Sequence, residues 1–101
     1  MSKLTLRILN KAEEDMSLIG NYIAKDNIIA ASNLLKQFYT TFEILSEYPN
    51  LGYRRPDFTY KDVRFYVVRK NYLILYKVEQ NSIFILRVFP TYQDICSIIE
   101  M

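Results

Sequence analysis

The sequence predicts an α+β domain: an N-terminal strand, then an antiparallel helical hairpin packed on a small antiparallel sheet, in the order β-α-α-β-β-β-α. Three observations lead there. Apolar residues recur at helical spacing between residues 11 and 48, then switch to strand-like segments from residue 63 onward. The later segments are rich in β-branched and aromatic residues, with short polar breaks between them. Half of the 101 residues are hydrophobic, and there are only 2 Gly and 3 Pro. That composition suits one folded domain over residues 1–101 with a single core.

The first element is a short strand, Leu4-Thr-Leu-Arg-Ile8, with Leu4, Leu6 and Ile8 on one face. Asn10, with Glu13 three residues on, forms a capping-box pattern, and Glu13, Glu14 and Asp15 suit the positive end of a helix dipole. The first helix is expected from about Lys11 to Lys25, with Ala12, Met16, Ile19 and Ile23 as its apolar stripe. Gly20 interrupts it; either a neighbouring helix approaches closely there or the glycine is simply tolerated.

Asp26-Asn27 reads as a turn and a second cap, so a tight hairpin follows. The second helix is expected from Ile28 to about Tyr48. Its seam is Ala31, Leu35, Phe38, Phe42 and Leu45, spaced to pack against an antiparallel neighbour. Pro49 ends it and Asn50-Leu51-Gly52 turns the chain.

Residues 53–62, with Pro56 inside them, read as irregular. Val63–Val68, Tyr72–Glu79 and Ile83–Phe89 read as three strands of an antiparallel meander. The middle strand is nearly all apolar, as expected if both its faces are covered. Pro90 and Thr91 are expected to end the last strand, and a short helix from Tyr92 to Ile99 to follow, capped by Thr91.

Composition excludes several classes of chemistry. There is no His and one cysteine, Cys96. The common zinc sites and the Ser–His and Cys–His dyads are therefore out of reach, and neither a metal nor another cofactor is expected. Cys96, among Ile95, Ile98 and Ile99, reads as core packing. The longest apolar run, Tyr72 to Tyr76, is too short to span a bilayer, and the N-terminus lacks a secretory pattern; the expected location is the cytoplasm, with no membrane partner.

Net charge is +2, unevenly placed. Between Arg54 and Lys77 there are 7 basic residues against 2 acidic ones: Arg54, Arg55, Lys61, Arg64, Arg69, Lys70 and Lys77. Such a field meets nucleic acid, meets an acidic protein, or is the solvated face of an ordinary domain.

Five segments, in order, resemble the RelE/ParE toxin superfamily of type II toxin–antitoxin systems. They are Ala12-Glu-Glu-Asp-Met16 with Ile19 and Tyr22-Ile-Ala24; Asp26-Asn27 with Ala30-Ala31 and Leu34-Leu35; Leu45 with Pro49-Asn-Leu-Gly52; Val63-Arg64 with Tyr72, Ile74, Tyr76 and Val78; and Ile83 with Ile85-Leu-Arg-Val88 and Asp94. ParE-like toxins typically have Pro where Ile28 stands, and members of the superfamily often have His where Pro90 stands.

The resemblance implies a toxin held inactive by an antitoxin whose C-terminal segment wraps it. Three readings stay open. A ParE-like member poisons DNA gyrase, blocks replication and needs no catalytic residue. A RelE-like member is an enzyme that cuts mRNA on the ribosome, and here Arg64 and Arg87 would bind phosphate while Tyr92 supplied the proton. A decayed member would only bind antitoxin. Whether the chain is an enzyme depends on which holds. The helical hairpin with Asp26-Asn27 at its tip favours the ParE-like reading. Arg54, Arg55, Lys61, Arg64, Arg69 and Arg87 are the expected target-binding residues, and Leu35, Phe38 and Phe42 the expected border of the antitoxin groove.

Overall fold

Six elements follow one another in the computed structural model, which describes residues 3–57 and 61–91. They are β1 (Thr5–Ile8), α1 (Asn10–Ala24), α2 (Ile28–Glu47), β2 (Arg64–Val68), β3 (Tyr72–Glu79) and β4 (Ser82–Pro90). The strands form one sheet in the order β1-β4-β3-β2. β2, β3 and β4 make the expected antiparallel meander. β1 joins it parallel to β4, with Leu6 opposite Ile83 and Ile8 opposite Ile85, so the sheet is mixed. The expected helix from Tyr92 to Ile99, with Tyr92, Asp94 and Cys96, lies outside the described residues.

The start of α1 differs from the capping-box reading. Asn10 is the first helical residue, Leu9 takes the cap position, and no side chain caps the end. The cause is β4: the Leu9 N–H donates to the Ile85 carbonyl at 3.0 Å, which holds Leu9 extended and starts the helix one residue early. The second cap is as expected, with the Asn27 side chain accepting from the Ala30 N–H at 3.0 Å.

The two helices pack through Gly20. A Cβ there would lie 3.2 Å from Leu35 Cδ1, so the helices approach closely at this glycine and the nearest atom is the end of a side chain. α2 buries a wider stripe than its predicted seam. Leu34 is buried along with Ala31, Phe38, Phe42 and Leu45, while Leu35 is half-buried.

Both faces of β3 are covered, as its composition implies. Ile74 and Tyr76 join Phe38, Phe42, Ile83 and Ile85 in the core under the helices. Leu73 and Leu75 join Val63, Phe65 and Phe89 in a second buried cluster. Between Leu75 and Tyr76 the register slips: Leu75 faces Arg87 and Tyr76 faces Ile85, which leaves Leu86 as the extra residue of a β-bulge. β4 also runs on through Pro90, opposite Tyr72, where the sequence had suggested its end. β1 pairs only with Ser82–Ile85, so at residue 90 that side of β4 is unpaired by β1, and the missing N–H costs no ladder bond there.

Among the described residues no helix is long and apolar enough to cross a membrane, and no cluster of three His, Cys, Asp or Glu side chains could hold a metal.

Candidate functional surface

Arg87 stands beside the bulge of β4 and is taken by Asp15 of α1. The guanidinium donates from Nε to Oδ2 at 2.7 Å and from a terminal nitrogen to Oδ1 at 2.9 Å. The backbone N–H of Val88 donates to the same carboxylate at 3.0 Å. Both side chains are largely shielded, Arg87 at 20% and Asp15 at 12% exposure. The hydrogen bond to Asp15 pushes the Arg87 guanidinium further toward its charged form. Asp15, read from sequence as a first-turn acid, ties α1 to the sheet.

Arg64 serves the backbone. It is half-buried on β2 and donates to the Gly52 carbonyl at 2.7 Å. The other side of Gly52 is held by Tyr76, whose hydroxyl accepts from the Gly52 N–H at 2.8 Å and donates to the Pro49 carbonyl at 2.6 Å. Burial raises the pKa of this phenol, against smaller opposing effects from Gly52 and Arg64. A Cβ at Gly52 would overlap the Tyr76 ring, 2.7 Å from Cε1, which explains the glycine. Tyr53 then pairs with Phe65 through two backbone hydrogen bonds of 3.0 and 2.8 Å. The loop that carries Arg54 and Arg55 is thus anchored at its root.

On that loop, Arg54 pairs with Asp62 at 2.6 Å, and Arg55 with Asp57 at 2.9 and 2.6 Å. Arg55 also lies over the Tyr53 ring, 5.9 Å from its centroid. Lys61 is exposed beside them. At the β2–β3 turn, Arg69 donates from Nε to Gln37 Oε1 of α2. Arg69 and its neighbour Lys70 have φ of 53° and 65°. They are the central residues of the Val68–Asn71 turn, closed by the Asn71 N–H donating to the Val68 carbonyl at 3.2 Å; two central positions with positive φ favour Asn-Gly, and two long side chains there cost ~1 kcal/mol or more each.

The predicted cations therefore do not converge on one pocket. Arg54 and Arg55 lie on the loop after α2, Arg64 on β2 holds that loop at Gly52, Arg87 is bound to α1, and Arg69 sits at the β2–β3 turn. Tyr92 lies outside the described residues. Of the expected antitoxin contacts, Phe38 and Phe42 are 0% exposed in the chain on its own. Leu35 is half-buried and meets Gly20.

A different surface is open to an apolar ligand. Between α1 and the ends of β3 and β4 runs a groove of about 490 Å³, bordered by Leu18, Ile19, Tyr22, Tyr72, Phe89 and Pro90. Leu18 and Tyr22 lie one turn apart on its rim and are 70% and 74% exposed. Asp15 lies in its wall but is already neutralised by Arg87. The signal in the sequence was the pair Leu18 and Tyr22, apolar positions off the helix stripe.

The family model described as the ParE toxin of the type II toxin–antitoxin system parDE matches residues 6–95. A solved chain titled a chromosomal ParDE toxin–antitoxin system from P. aeruginosa shares the fold, with a TM-score of 0.73 at 21% identity, over 87% of this chain and 96% of that one. A conserved hypothetical protein from Helicobacter pylori, solved in solution, matches at a TM-score of 0.48 and 14% identity, over 89% of this chain and 97% of its own. No curated protein matches.

Proposed function

The chain belongs to the ParE toxin family of type II toxin–antitoxin systems, and on that premise we propose that it inhibits DNA gyrase and is neutralised by a cognate antitoxin lying in the groove beside α1. The observation that carries the choice of target is the Arg87–Asp15 pair. A ribosome-dependent mRNA cutter needs cations free to meet the charge that develops on phosphorus. Here Arg87 already has a two-pronged carboxylate partner, and Arg64 has one terminal nitrogen held by the Gly52 carbonyl. Gyrase poisoning asks for no such group.

The antitoxin reading rests on the groove's chemistry. Its rim offers exposed Leu18 and Tyr22, and its one wall carboxylate is compensated, which suits the apolar anchors of a segment that orders on binding.

Induction in cells, with labelled thymidine and leucine followed in parallel, tests the target. Early loss of thymidine incorporation, with inhibition of purified gyrase supercoiling, is the expected result. Early loss of leucine incorporation would move the chain to the mRNA-cutting class, and unaltered growth would leave it an antitoxin binder without toxicity.

A further inference from the structure

Arg69 and Lys70 hold a left-handed backbone that, among the described non-glycine residues, only Gln80 shares. Both are exposed, and both hold φ above +50°. Asn-Gly would relieve the strain without loss of any buried contact. A turn that keeps two cations against the preference of its backbone calls for an anionic partner.

The surface around the turn supports the same view. Through Gln37, Arg69 lies on the face of α2 that carries Asn33, Lys36 and Thr40 at helical neighbour spacing. Asn33, Lys36 and Thr40 are exposed. From Ile28 to Phe42, α2 contains no acidic residue at all. Glu43, the next one, is paired with Lys3. Among the described residues neither Lys36 nor Lys70 is ion-paired. The contact of Arg69 with Gln37 uses Nε alone, which leaves two terminal nitrogens to meet an anion.

The polar set of the face identifies the partner. Exposed Ile29 and Tyr39 lie at helical spacing from Asn33 and Lys36, but the positions at 33, 36, 37, 40, 69 and 70 carry no aromatic or aliphatic side chain themselves. They supply cations interleaved with amide and hydroxyl groups, the set that contacts a phosphodiester backbone without reading sequence. We propose that the face formed by Arg69, Lys70 and Lys36 binds the phosphate backbone of duplex DNA. The proposal goes beyond the gyrase reading and does not rest on it.

The test is fluorescence anisotropy with a short labelled duplex of arbitrary sequence, titrated with the purified chain between about 50 and 200 mM salt. Three neutralised phosphates give a slope of log K against log salt of about −2.7. R69N/K70G, whose new residues suit the turn, should reduce that slope to about −1, and K36Q on its own should remove about 0.9 from it. Unchanged slopes in both variants would overturn the proposal, as would failure of the parent chain to bind the duplex at the lowest salt. Loss of antitoxin affinity in R69N/K70G with DNA binding intact would assign the face to the protein partner and overturn it equally. Gyrase supercoiling is measured alongside: a parent chain that binds DNA but spares gyrase refutes the gyrase reading and leaves the DNA face standing.

Discussion

Asp15 and Arg87, 72 residues apart, are joined by two parallel hydrogen bonds, and the same carboxylate takes the Val88 N–H beside the bulge. One side chain of α1 thus satisfies both the charge and the irregular backbone of β4. Removing the acid alone strands a shielded guanidinium and a backbone donor. Asp15→Ala should cost ~2–4 kcal/mol, read as a shift of the urea midpoint with the slope unchanged. Asp15→Asn keeps an acceptor for Val88 and should cost about half as much. Equal stability of all three proteins would show that the pair contributes nothing to holding α1 on the sheet.

Tyr76 and Gly52 yield a second prediction, with a pH dependence. Tyr76→Phe leaves the Gly52 N–H and the Pro49 carbonyl without their partner and should cost ~1–3 kcal/mol. Burial holds the phenol protonated past its ordinary range, so the unfolded chain ionises first as pH rises. The stabilisation is whole below the ordinary tyrosine pKa of about 10 and is lost as pH climbs through the higher folded value. Parent protein should therefore lose stability above about pH 10 more steeply than Tyr76→Phe. Parallel alkaline melting curves would contradict this.

How much of this was legible depends on the range of each interaction. The Asn27 cap spans three residues, so a local pattern announced it. The Asn10 cap failed because Ile85, far along the chain, had already fixed Leu9. No local signal marks Asp15 as the partner of Arg87, or distinguishes Tyr76 from the other eight tyrosines. The α2 seam predicted burial well, yet periodicity cannot say whether an apolar stripe meets its own sheet or a visitor. Phe38, edge-on to Tyr72 with centroids 5.5 Å apart, meets the sheet. Leu34 was passed over because α2 touches helix and strands together, which widens the buried arc beyond a two-helix seam. The arginines were visible as charge, but their carboxylate and carbonyl partners were not.

Gly20 offers a test of the helix–helix contact. Alanine gains about 1 kcal/mol of helix propensity. Its Cβ would press on Leu35 Cδ1 at 3.2 Å, the far end of a half-buried side chain that can turn away. Gly20→Ala should therefore be neutral or stabilising by up to ~1 kcal/mol. A larger residue cannot be accommodated by that motion, and Gly20→Val should destabilise by ~1–3 kcal/mol. A thermal melt in which Gly20→Ala unfolds well below the parent would mean that Leu35 is fixed in place.

The groove beside α1 sets function apart from folding. Leu18 and Tyr22 are so exposed that Leu18→Ser and Tyr22→Ala should change stability by no more than ~0.5 kcal/mol. If they anchor the antitoxin, each should weaken its binding by ~2 kcal/mol, about thirtyfold, in a titration of the purified pair. Phe42→Ala, by contrast, should cost ~3–5 kcal/mol of folding stability, and any loss of antitoxin binding should track the loss of folded protein. Tight antitoxin binding by the Leu18→Ser, Tyr22→Ala double variant would exclude the groove. Weakened binding with an unaltered melt would place the partner on α1, and growth arrest by that variant in cells that also express the antitoxin would show that the same contact restrains the toxin.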